Sequence, residues 1–372
     1  KFDCMHCHTS SGRYRFKQEK FNNACLPCHA DKVQNPAAHT HHAAESEASK
    51  CVSCHMPMTS FARMNRSDHS MLPPTPAATI AYQSPNACNL CHRDKDAKWA
   101  DQIVRQWRSR DYQAPVLERA ALIDAARKRD WTKLPEMISY IGDPGHDAVF
   151  AASLIRLIPP AQDPQLQEAL IGAAKDPSPL VRGAAVLALG LIPSVESLQT
   201  LIMATADESR LVRVRAAAGI ATFPQLAAPP AYQAQMQKAN DEYLASITTR
   251  PDQWTSHYNL GNYYLGQGNA KAAVASYRTA LQLDPQAILP LVNMSIGHAR
   301  MGENGKAEQA LQKALKQAPD NSAANFNLGL LQAGWNELQA AETSLQKAFA
   351  ADPQMAQAAY NLCIITATER ID

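Results

Sequence analysis

Eight of the nine cysteines in this chain occur in pairs of one form, in which two cysteines stand three positions apart and a histidine follows directly. The four copies, each of the form C-x-x-C-H, are Cys4-Cys7-His8, Cys25-Cys28-His29, Cys51-Cys54-His55 and Cys88-Cys91-His92. Two thiols at this spacing can bond to the two vinyl groups of one porphyrin, and the adjacent imidazole can then bind the iron. The sequence therefore predicts four covalently bound haems c, with the histidine of each motif as the proximal iron ligand.

Structural zinc sites and disulfide frameworks also use paired cysteines. Neither requires a histidine directly after every second cysteine, and all four copies in this chain have one. The pattern therefore favours haem attachment over both alternatives.

An electron-transfer haem usually binds a histidine or a methionine on the second side of its iron. The haem segment contains five further histidines, which are His6, His39, His41, His42 and His69. Of these, we expect His39, His42 and His69 to be distal ligands, against the alternative of solvated or hydrogen-bonded side chains. His6 lies inside the first attachment loop and is too constrained to reach over its own haem, so it would be either a bystander or a ligand to a neighbouring haem.

Methionines are the rival ligands, and the segment holds Met56, Met58, Met64 and Met71. Met56 and Met58 follow His55 too closely to reach across its haem easily. Ligation by two histidines would keep the reduction potentials low, because a methionine thioether raises them.

The segment from Cys4 to His92 is too short to wrap four porphyrins in separate apolar pockets. The haems should therefore pack against one another. Packed redox centres with saturated irons are typical of electron conduction rather than substrate chemistry.

Three runs carry a family resemblance: Cys51-Val-Ser-Cys54-His55-Met-Pro, then Asp68-His69, then Ser84-Pro-Asn-Ala-Cys88-Asn-Leu-Cys91-His92. They resemble the bacterial multihaem c-type cytochromes in which HEAT-like and tetratricopeptide repeats (TPRs) follow the haem motifs. They are also similar to the last two haem motifs of pentahaem cytochrome c nitrite reductases. The resemblance covers about residues 1–108 and implies that His69 and His42 are distal ligands.

The catalytic haem of those nitrite reductases has a lysine ligand, in a C-x-x-C-K motif, and all four motifs here end in histidine. The resemblance therefore implies an electron-transfer protein rather than an enzyme. The alternative is the C-terminal part of a multihaem oxidoreductase of the nitrite, hydroxylamine or tetrathionate type. Its catalytic haem would then be five-coordinate or lie upstream of Cys4.

Helical patterns position this segment against the rest of the chain. Residues 94–108 predict an amphipathic helix with Trp99, Ile103 and Trp107 on one stripe, which would seat the fourth haem or form ordinary core. The proline-rich stretch between His69 and Asn86 predicts an ordered loop, because proline disfavours helix and central strand.

Residues 112–225 contain an internal repeat. The run that begins at Asp176 and includes Val181-Arg182 recurs 31 residues later from Asp207 with Val212-Arg213, and a degenerate copy begins at Asp143. This pattern is typical of HEAT-like helical pairs in which the aspartate begins a helix. His146 lies at such a helix start, where a structural role is favoured over metal ligation.

A 34-residue period begins after a break at Leu226–Pro230 and is typical of TPRs. Three register positions show it, and their members are Asn259, Asn293, Asn327 and Asn361; Ala280, Ala314 and Ala348; and Pro285, Pro319 and Pro353. A fourth holds Gly261, Ser295, Gly329 and Cys363, so we expect Cys363 to be a buried, inert thiol. The asparagines, together with Asn262, would either bind a peptide on the concave face or merely cap and solvate it.

The chain has 372 residues and a formal net charge of +2, with no basic run that would indicate a nucleic-acid partner. No apolar stretch is long enough for a transmembrane segment. Because C-x-x-C-H haems are attached outside the bacterial cytoplasm, we expect a periplasmic or extracellular protein that exchanges electrons with redox partners. Self-assembly, and further haems upstream, are left open.

The expected fold is therefore mostly α, a loop-rich multihaem cytochrome c module followed by an α-solenoid. We predict a tetrahaem domain over 1–95, HEAT-like repeats over 96–228 and TPRs over 229–372.

Overall fold

The computed structural model describes residues 3–61, 63–159, 163–223 and 229–368. The chain divides into two compact units, Lys1–Lys133 and Leu134–Asp372. The predicted domain limits at residues 95 and 228 stay predictions, and residues 226–228 of the predicted break at Leu226–Pro230 lie outside the described residues.

The first unit consists of short helices joined by turns, with one β-hairpin. Its helices are α1 (Cys4–Cys7), α2 (Ala30–Gln34), α3 (Pro36–Thr40), α4 (Cys51–His55), α5 (Pro76–Tyr82), α6 (Ala87–Cys91), α7 (Ala97–Trp107) and α8 (Ala114–Arg127). Three 3-10 turns span Gln18–Ala24, Glu47–Ser49 and Trp131–Lys133. The hairpin pairs β1 (Met58–Phe61) with β2 (Met64–Ser67) in antiparallel register, Met58 opposite Ser67.

The predicted loop between His69 and Asn86 is wrong in its middle part, since α5 begins there at Pro76. A proline in the first turn of a helix loses no hydrogen bond, and its fixed φ suits the helix start. Helix α5 packs on α7 and α8, so this segment belongs to the helical part of the first unit.

Helix α7 confirms the amphipathic helix predicted after His92. Asp96 caps it by accepting a hydrogen bond from the backbone N–H of Trp99 at 2.8 Å. Its buried positions are Ala100 and Val104. The tryptophans predicted to form its stripe are only half-buried, which leaves their rings available to neighbouring side chains.

The second unit is built of helices throughout its described residues. They are α9 (Leu134–Gly142), α10 (Ala148–Leu157), α11 (Pro164–Ala173), α12 (Pro179–Leu189), α13 (Val195–Ala204), α14 (Arg210–Ile220), α15 (Gln233–Ile247), α16 (Trp254–Gly266), α17 (Ala270–Leu283), α18 (Ile288–Arg300), α19 (Asn304–Gln317), α20 (Ser322–Gly334), α21 (Leu338–Ala351) and α22 (Ala356–Thr368), with a 3-10 turn at Pro230–Tyr232.

The repeat aspartates lie just ahead of the helices instead of beginning them, which corrects the prediction. Asp176 accepts a hydrogen bond from the backbone N–H of Ser178, and Ser178 is the cap of α12. Asp207 does the same for Ser209 before α14. The aspartates thus order the turn that leads into each helix.

Close helix contact explains the small residues of the HEAT copies. Helices α12 and α14 cross where Gly190 meets Gly219, and a Cβ added at Gly190 would lie 2.5 Å from the Cα of Gly219. No ordinary side chain fits that gap.

The TPR register is confirmed at the helix crossings. The alanines of the 34-residue period, Ala280, Ala314 and Ala348, are fully buried. The prolines of the period stand two residues after α17, α19 and α21 end, where a helix can stop without losing a hydrogen bond.

Candidate functional site

Each C-x-x-C-H motif folds into a single tight turn. The backbone N–H of the motif histidine bonds to the carbonyl of the first cysteine at 2.9 Å in the first, second and fourth motifs. The third motif is helix α4 itself. A helical turn places residues three apart on one face, so both thiols of a motif point to the same side.

The motifs lie close together within the first unit. The thiols of Cys25 and Cys51, from the second and third motifs, share a hydrogen bond that lowers the pKa of Cys51 and raises that of Cys25. Burial, and then the nearby thiols of Cys88 and Cys91, raise the pKa of Cys54 to about 11. None of the nine cysteines forms a disulfide, so the clustering does not depend on one.

Three of the four motif histidines face one of the three histidines predicted as distal ligands. The ring centres of His8 and His69 are 6.2 Å apart, those of His39 and His55 are 6.2 Å apart, and those of His42 and His92 are 6.0 Å apart. Two imidazoles that bind one metal ion from opposite sides, each by a bond of about 2 Å, have ring centres roughly 6 Å apart. The three separations match that distance.

Hydrogen bonds orient these rings in a consistent way. The Nδ1 atoms of His8, His42 and His69 lie 3.1, 2.6 and 2.8 Å from the carbonyl oxygens of Gly12, Thr40 and Ser67. A carbonyl oxygen only accepts, so Nδ1 carries the proton and Nε2 of the neutral ring keeps its lone pair. This is the arrangement that metal-binding histidines usually show.

Burial favours the neutral form of both rings in the pair of His39 and His55. It lowers the pKa of His55, although hydrogen bonds with the backbone of Met71 and Leu72 oppose the shift. Burial and then the charge of Arg108 lower the pKa of His39. A neutral imidazole is the form that binds a metal ion.

The remaining histidines of the segment have other contacts. His6 donates from Nε2 to the carbonyl of Ala24 at 3.0 Å, which occupies the nitrogen that a ligand would use. The ring of His41 stacks on Trp107 at 4.4 Å. Trp99 lies 4.9 Å from His92, so both tryptophans of α7 contact histidines rather than form ordinary core.

His29 differs from the other motif histidines, because no histidine ring among the described residues faces it at a comparable distance. The described part of the chain also contains no group of three or more His, Cys, Asp or Glu side chains arranged to hold a metal ion. The histidine pairs are thus two-ligand arrangements, unlike the four-ligand sets of structural zinc.

In the second unit, a ladder of ion pairs joins each repeat to the next. Arg182 forms two hydrogen bonds with Asp207, at 2.8 and 3.0 Å, and Arg213 forms two with Glu242 on α15, at 2.8 and 2.7 Å. His146 makes the equivalent contact one repeat earlier: its Nε2 atom lies 3.2 Å from the carboxylate of Asp176, and its side chain is almost fully buried. The structural role predicted for His146 is confirmed.

The fourth TPR register position differs at its last member. Gly261 lies against Tyr277, Gly329 lies against Leu345, and Ser295 is buried. Cys363, however, is exposed, so the prediction of a buried thiol is wrong. Gly261 and Gly329 face the second helix of their own repeat, whereas no described helix comes after α22.

The asparagines predicted to bind a peptide do not share one environment. Asn262 accepts hydrogen bonds from Tyr277 and Asn293, each at 2.8 Å, and therefore joins neighbouring helices. Asn259 instead lines a surface pocket of about 390 Å³, together with Arg210 and Arg250. Ser246 and Ser256 contribute hydroxyls to the same pocket.

No helix in the described part of the chain is both long and apolar enough to cross a membrane.

The family models that match this chain lie in the second unit. The HEAT-repeat family model matches residues 145–221, and two TPR family models match residues 254–286 and 293–356. A search of curated proteins gave no significant match.

Solved structures resemble the helical repeats at low identity. A thermophilic TPR protein of Thermus thermophilus is 18% identical, with 50% of this chain and 96% of that chain covered and a TM-score of 0.35. The first TPR of Spaghetti (RPAP3) bound to the HSP90 peptide SRMEEVD is 18% identical, with 32% and 95% covered and a TM-score of 0.31. Cut9–Hcn1 of the APC/C is 13% identical, with 60% and 42% covered and a TM-score of 0.37.

The second unit of this chain is therefore a helical-repeat unit of HEAT repeats and TPRs, a class of structure that binds protein or peptide partners.

Proposed function

We propose that the first unit is an electron-transfer module that binds four haems c covalently, and that the repeat unit attaches it to a protein partner. The observation that carries the haem proposal is the set of three histidine pairs. Each pair joins a motif histidine to one of the predicted distal histidines, at the separation expected of two axial ligands.

In this proposal the eight motif cysteines hold the porphyrins, and the ring pairs bind three irons from both sides. His69 would be distal to His8, His39 to His55, and His42 to His92. Backbone carbonyls that accept from Nδ1 hold the rings in the orientation needed for ligation. His29 would bind the remaining iron on one side.

When bound, the haems would supply one-electron redox centres. The chain's part is to keep them close together, and the contact between Cys25 and Cys51 supports such packing. Attachment of haem at C-x-x-C-H motifs implies export, so we place the protein in the periplasm or outside the cell, where it meets its redox partners.

The test is a pyridine haemochrome count combined with electron paramagnetic resonance (EPR) of the oxidised protein, produced in a host that matures c-type cytochromes. Four haems per chain, with at least three low-spin signals, are expected. A chain that exports and folds without covalent haem would refute the proposal.

A multihaem oxidoreductase is the second candidate, and the observation that favours it is the unmatched ring of His29 in the described residues. An iron bound there on one side could take an external ligand. Addition of nitrite, hydroxylamine or cyanide to the EPR sample distinguishes the two candidate functions. A high-spin signal that shifts on addition supports the enzyme. Four low-spin signals that do not change support electron transfer.

For the repeat unit, the pocket at Arg210 and Arg250 suggests the chemistry of the partner. Neither guanidinium forms an ion pair among the described residues, although the charge of Arg210 also acts on Glu242, which is paired with Arg213. Hydroxyls and the Asn259 amide line the same pocket as the two arginines. We infer that an acidic segment of the partner binds there, since carboxylates match this lining.

A further inference from the structure

One short segment supplies the facing rings for two different haem motifs. His39 lies in the last turn of α3 and faces His55, and His42 lies three residues later and faces His92. Helix α3 has five residues, and His41 after it adopts a left-handed φ of 57°. A helix this short is not stable alone, so other contacts must fix the segment.

The end of α7 provides those contacts. Arg108 donates from Nη2 to the carbonyl oxygen of His39 at 3.1 Å, and the same atom lies 3.5 Å from Nδ1 of His39. The ring of Trp107 stacks on His41 at 4.4 Å and meets His42 edge-on at 6.2 Å. Two consecutive residues at the end of α7 thus contact all three histidines of the segment.

Arg108 also gives His39 a different electrostatic environment from the other paired histidines. His8, His42 and His69 have a neutral carbonyl at Nδ1. The Nδ1 atom of His39 instead lies 3.5 Å from the guanidinium of Arg108, which is always charged and donates its shorter hydrogen bond to the His39 carbonyl. Because a guanidinium only donates, the Nδ1 of a ligating His39 would carry its proton without accepting from Arg108, and Arg108 would act on this ring through its charge alone. Arg108 forms no ion pair with a carboxylate among the described residues. The nearby Lys32 is paired with Asp31 at 2.7 Å, which leaves Arg108 as the unbalanced charge beside His39.

We propose that Arg108 is a positioning residue for the His39–His42 segment and that its positive charge raises the reduction potential of the haem held between His39 and His55. This inference rests on the proposed function. A fixed positive charge beside an axial ligand disfavours the oxidised, more positive iron. Carbonyl oxygens that accept from Nδ1 of the other rings should lower the reduction potential, because they increase the electron donation from the imidazole to the iron.

The experiment is a spectroelectrochemical titration of the full haem-loaded chain and its R108Q, R108K and R105Q variants. Glutamine at 108 removes the charge but keeps an N–H group for the His39 carbonyl, and lysine keeps the charge. R105Q is the matched control, since Arg105 lies on the same helix and pairs with Asp101 and Asp111 without touching a histidine.

We expect R108Q to shift one of the four midpoint potentials to a lower value and leave the others in place. R108K and R105Q should reproduce the wild-type titration. An unchanged or upward-shifted potential in R108Q, or a downward shift of equal size in R105Q, would overturn the inference.

Haem content is measured on the same samples. Loss of haem from R108Q but not from R105Q would support the positioning role. The R108K variant then tests whether the charge sets the potential. A wild-type potential in R108K supports the effect of the charge, and a lowered potential contradicts it. If the wild-type chain binds no haem, the proposed function fails and this inference with it. If wild type binds four haems and R108Q titrates normally, this inference alone fails.

Discussion

The guanidinium of Arg182 is held by two hydrogen bonds to the carboxylate of Asp207, which belongs to the next repeat along the chain. Both side chains are nearly buried, at 9% and 13% exposed. Arg182 also donates to the carbonyls of Asp176 and Pro177, at 2.9 and 3.0 Å. Arg182 therefore connects a turn of its own repeat with the carboxylate of the next repeat.

Replacing Arg182 with methionine should destabilise the HEAT repeats by about 3 kcal/mol, because Asp207 would be left as an unpaired, nearly buried charge. Hydrogen exchange of α12 and α14 in the full chain measures the change. The matched control is K306A, which removes an exposed partner of Glu303 and should cost no more than about 0.5 kcal/mol. An R182M variant with wild-type protection would mean that Asp207 finds water or another partner.

Acid should weaken this unit through the same carboxylates. Burial raises the pKa of Asp207, but the hydrogen bond from Arg182 and others lower it below its ordinary value of 3.8 overall. The hydrogen bond from Arg213 lowers the pKa of Glu242 below 4.5. Because the folded pKa values are the lower ones, the stabilisation is complete above the ordinary values and is lost as the pH falls through the folded ones.

Calorimetric melting of the full chain between pH 7 and pH 3 tests this dependence. The melting temperature of the repeat unit should stay level down to about pH 5 and then fall. The D207N variant should start lower and fall less steeply. Equal slopes for the two proteins would exclude Asp207 as a contributor.

The glycine contact between α12 and α14 makes a steric prediction. G190A should destabilise the repeat unit by about 1–3 kcal/mol, because its Cβ would meet the backbone of Gly219. G172A is the control: a Cβ there meets nothing within 4 Å, and alanine in a helix is favoured over glycine by about 0.5–1 kcal/mol. Thermal melting tests whether G190A lowers the melting temperature and G172A raises it.

Replacing a facing histidine should change one haem at a time. H69A should convert one low-spin EPR signal of the loaded protein to high-spin, since His8 loses its facing ring. H6A should leave the spectrum unchanged, because the Nε2 atom of His6 is bonded to Ala24. Identical spectra for H69A and wild type would show that another residue binds that iron.

The pocket in the repeat unit predicts selective binding of acidic peptides. The R210E/R250E variant should bind a fluorescent octaglutamate peptide at least tenfold more weakly than wild type, or about 1.4 kcal/mol. R278E reverses an exposed arginine on α17, outside the pocket, and should bind as wild type does. Fluorescence anisotropy with octalysine as a second probe completes the test, and equal affinity for both peptides would contradict the inference.

The parts of the fold that depend on local spacing could be predicted from sequence. The thiols and histidine of each motif lie within one helical turn, and the 34-residue period fixes which alanines meet at helix crossings. The helix after His92 was predictable because one stripe of apolar residues and one capping aspartate specify it.

Features that depend on distant contacts could not be predicted. The pairing of His8 with His69, 61 positions later in the chain, depends on how the short helices pack, and no local pattern encodes it. Cys363 shares a register with buried glycines, but it lies on α22, which no later helix of the described residues covers. The loop prediction for the proline-rich segment was wrong because proline, which interrupts a helix, can also occupy its first turn, as Pro76 does in α5.

The side-chain contacts between consecutive HEAT repeats affect how the number of repeats can change. Each repeat directs one side chain to an acid one unit ahead: His146 contacts Asp176, Arg182 pairs with Asp207 and Arg213 pairs with Glu242. Duplication of a whole repeat in the gene would therefore leave every inner charge paired. Only the last cation needs an acid from outside the series, and Glu242 on α15 supplies it, so the array can change length without changing its junction with the TPRs.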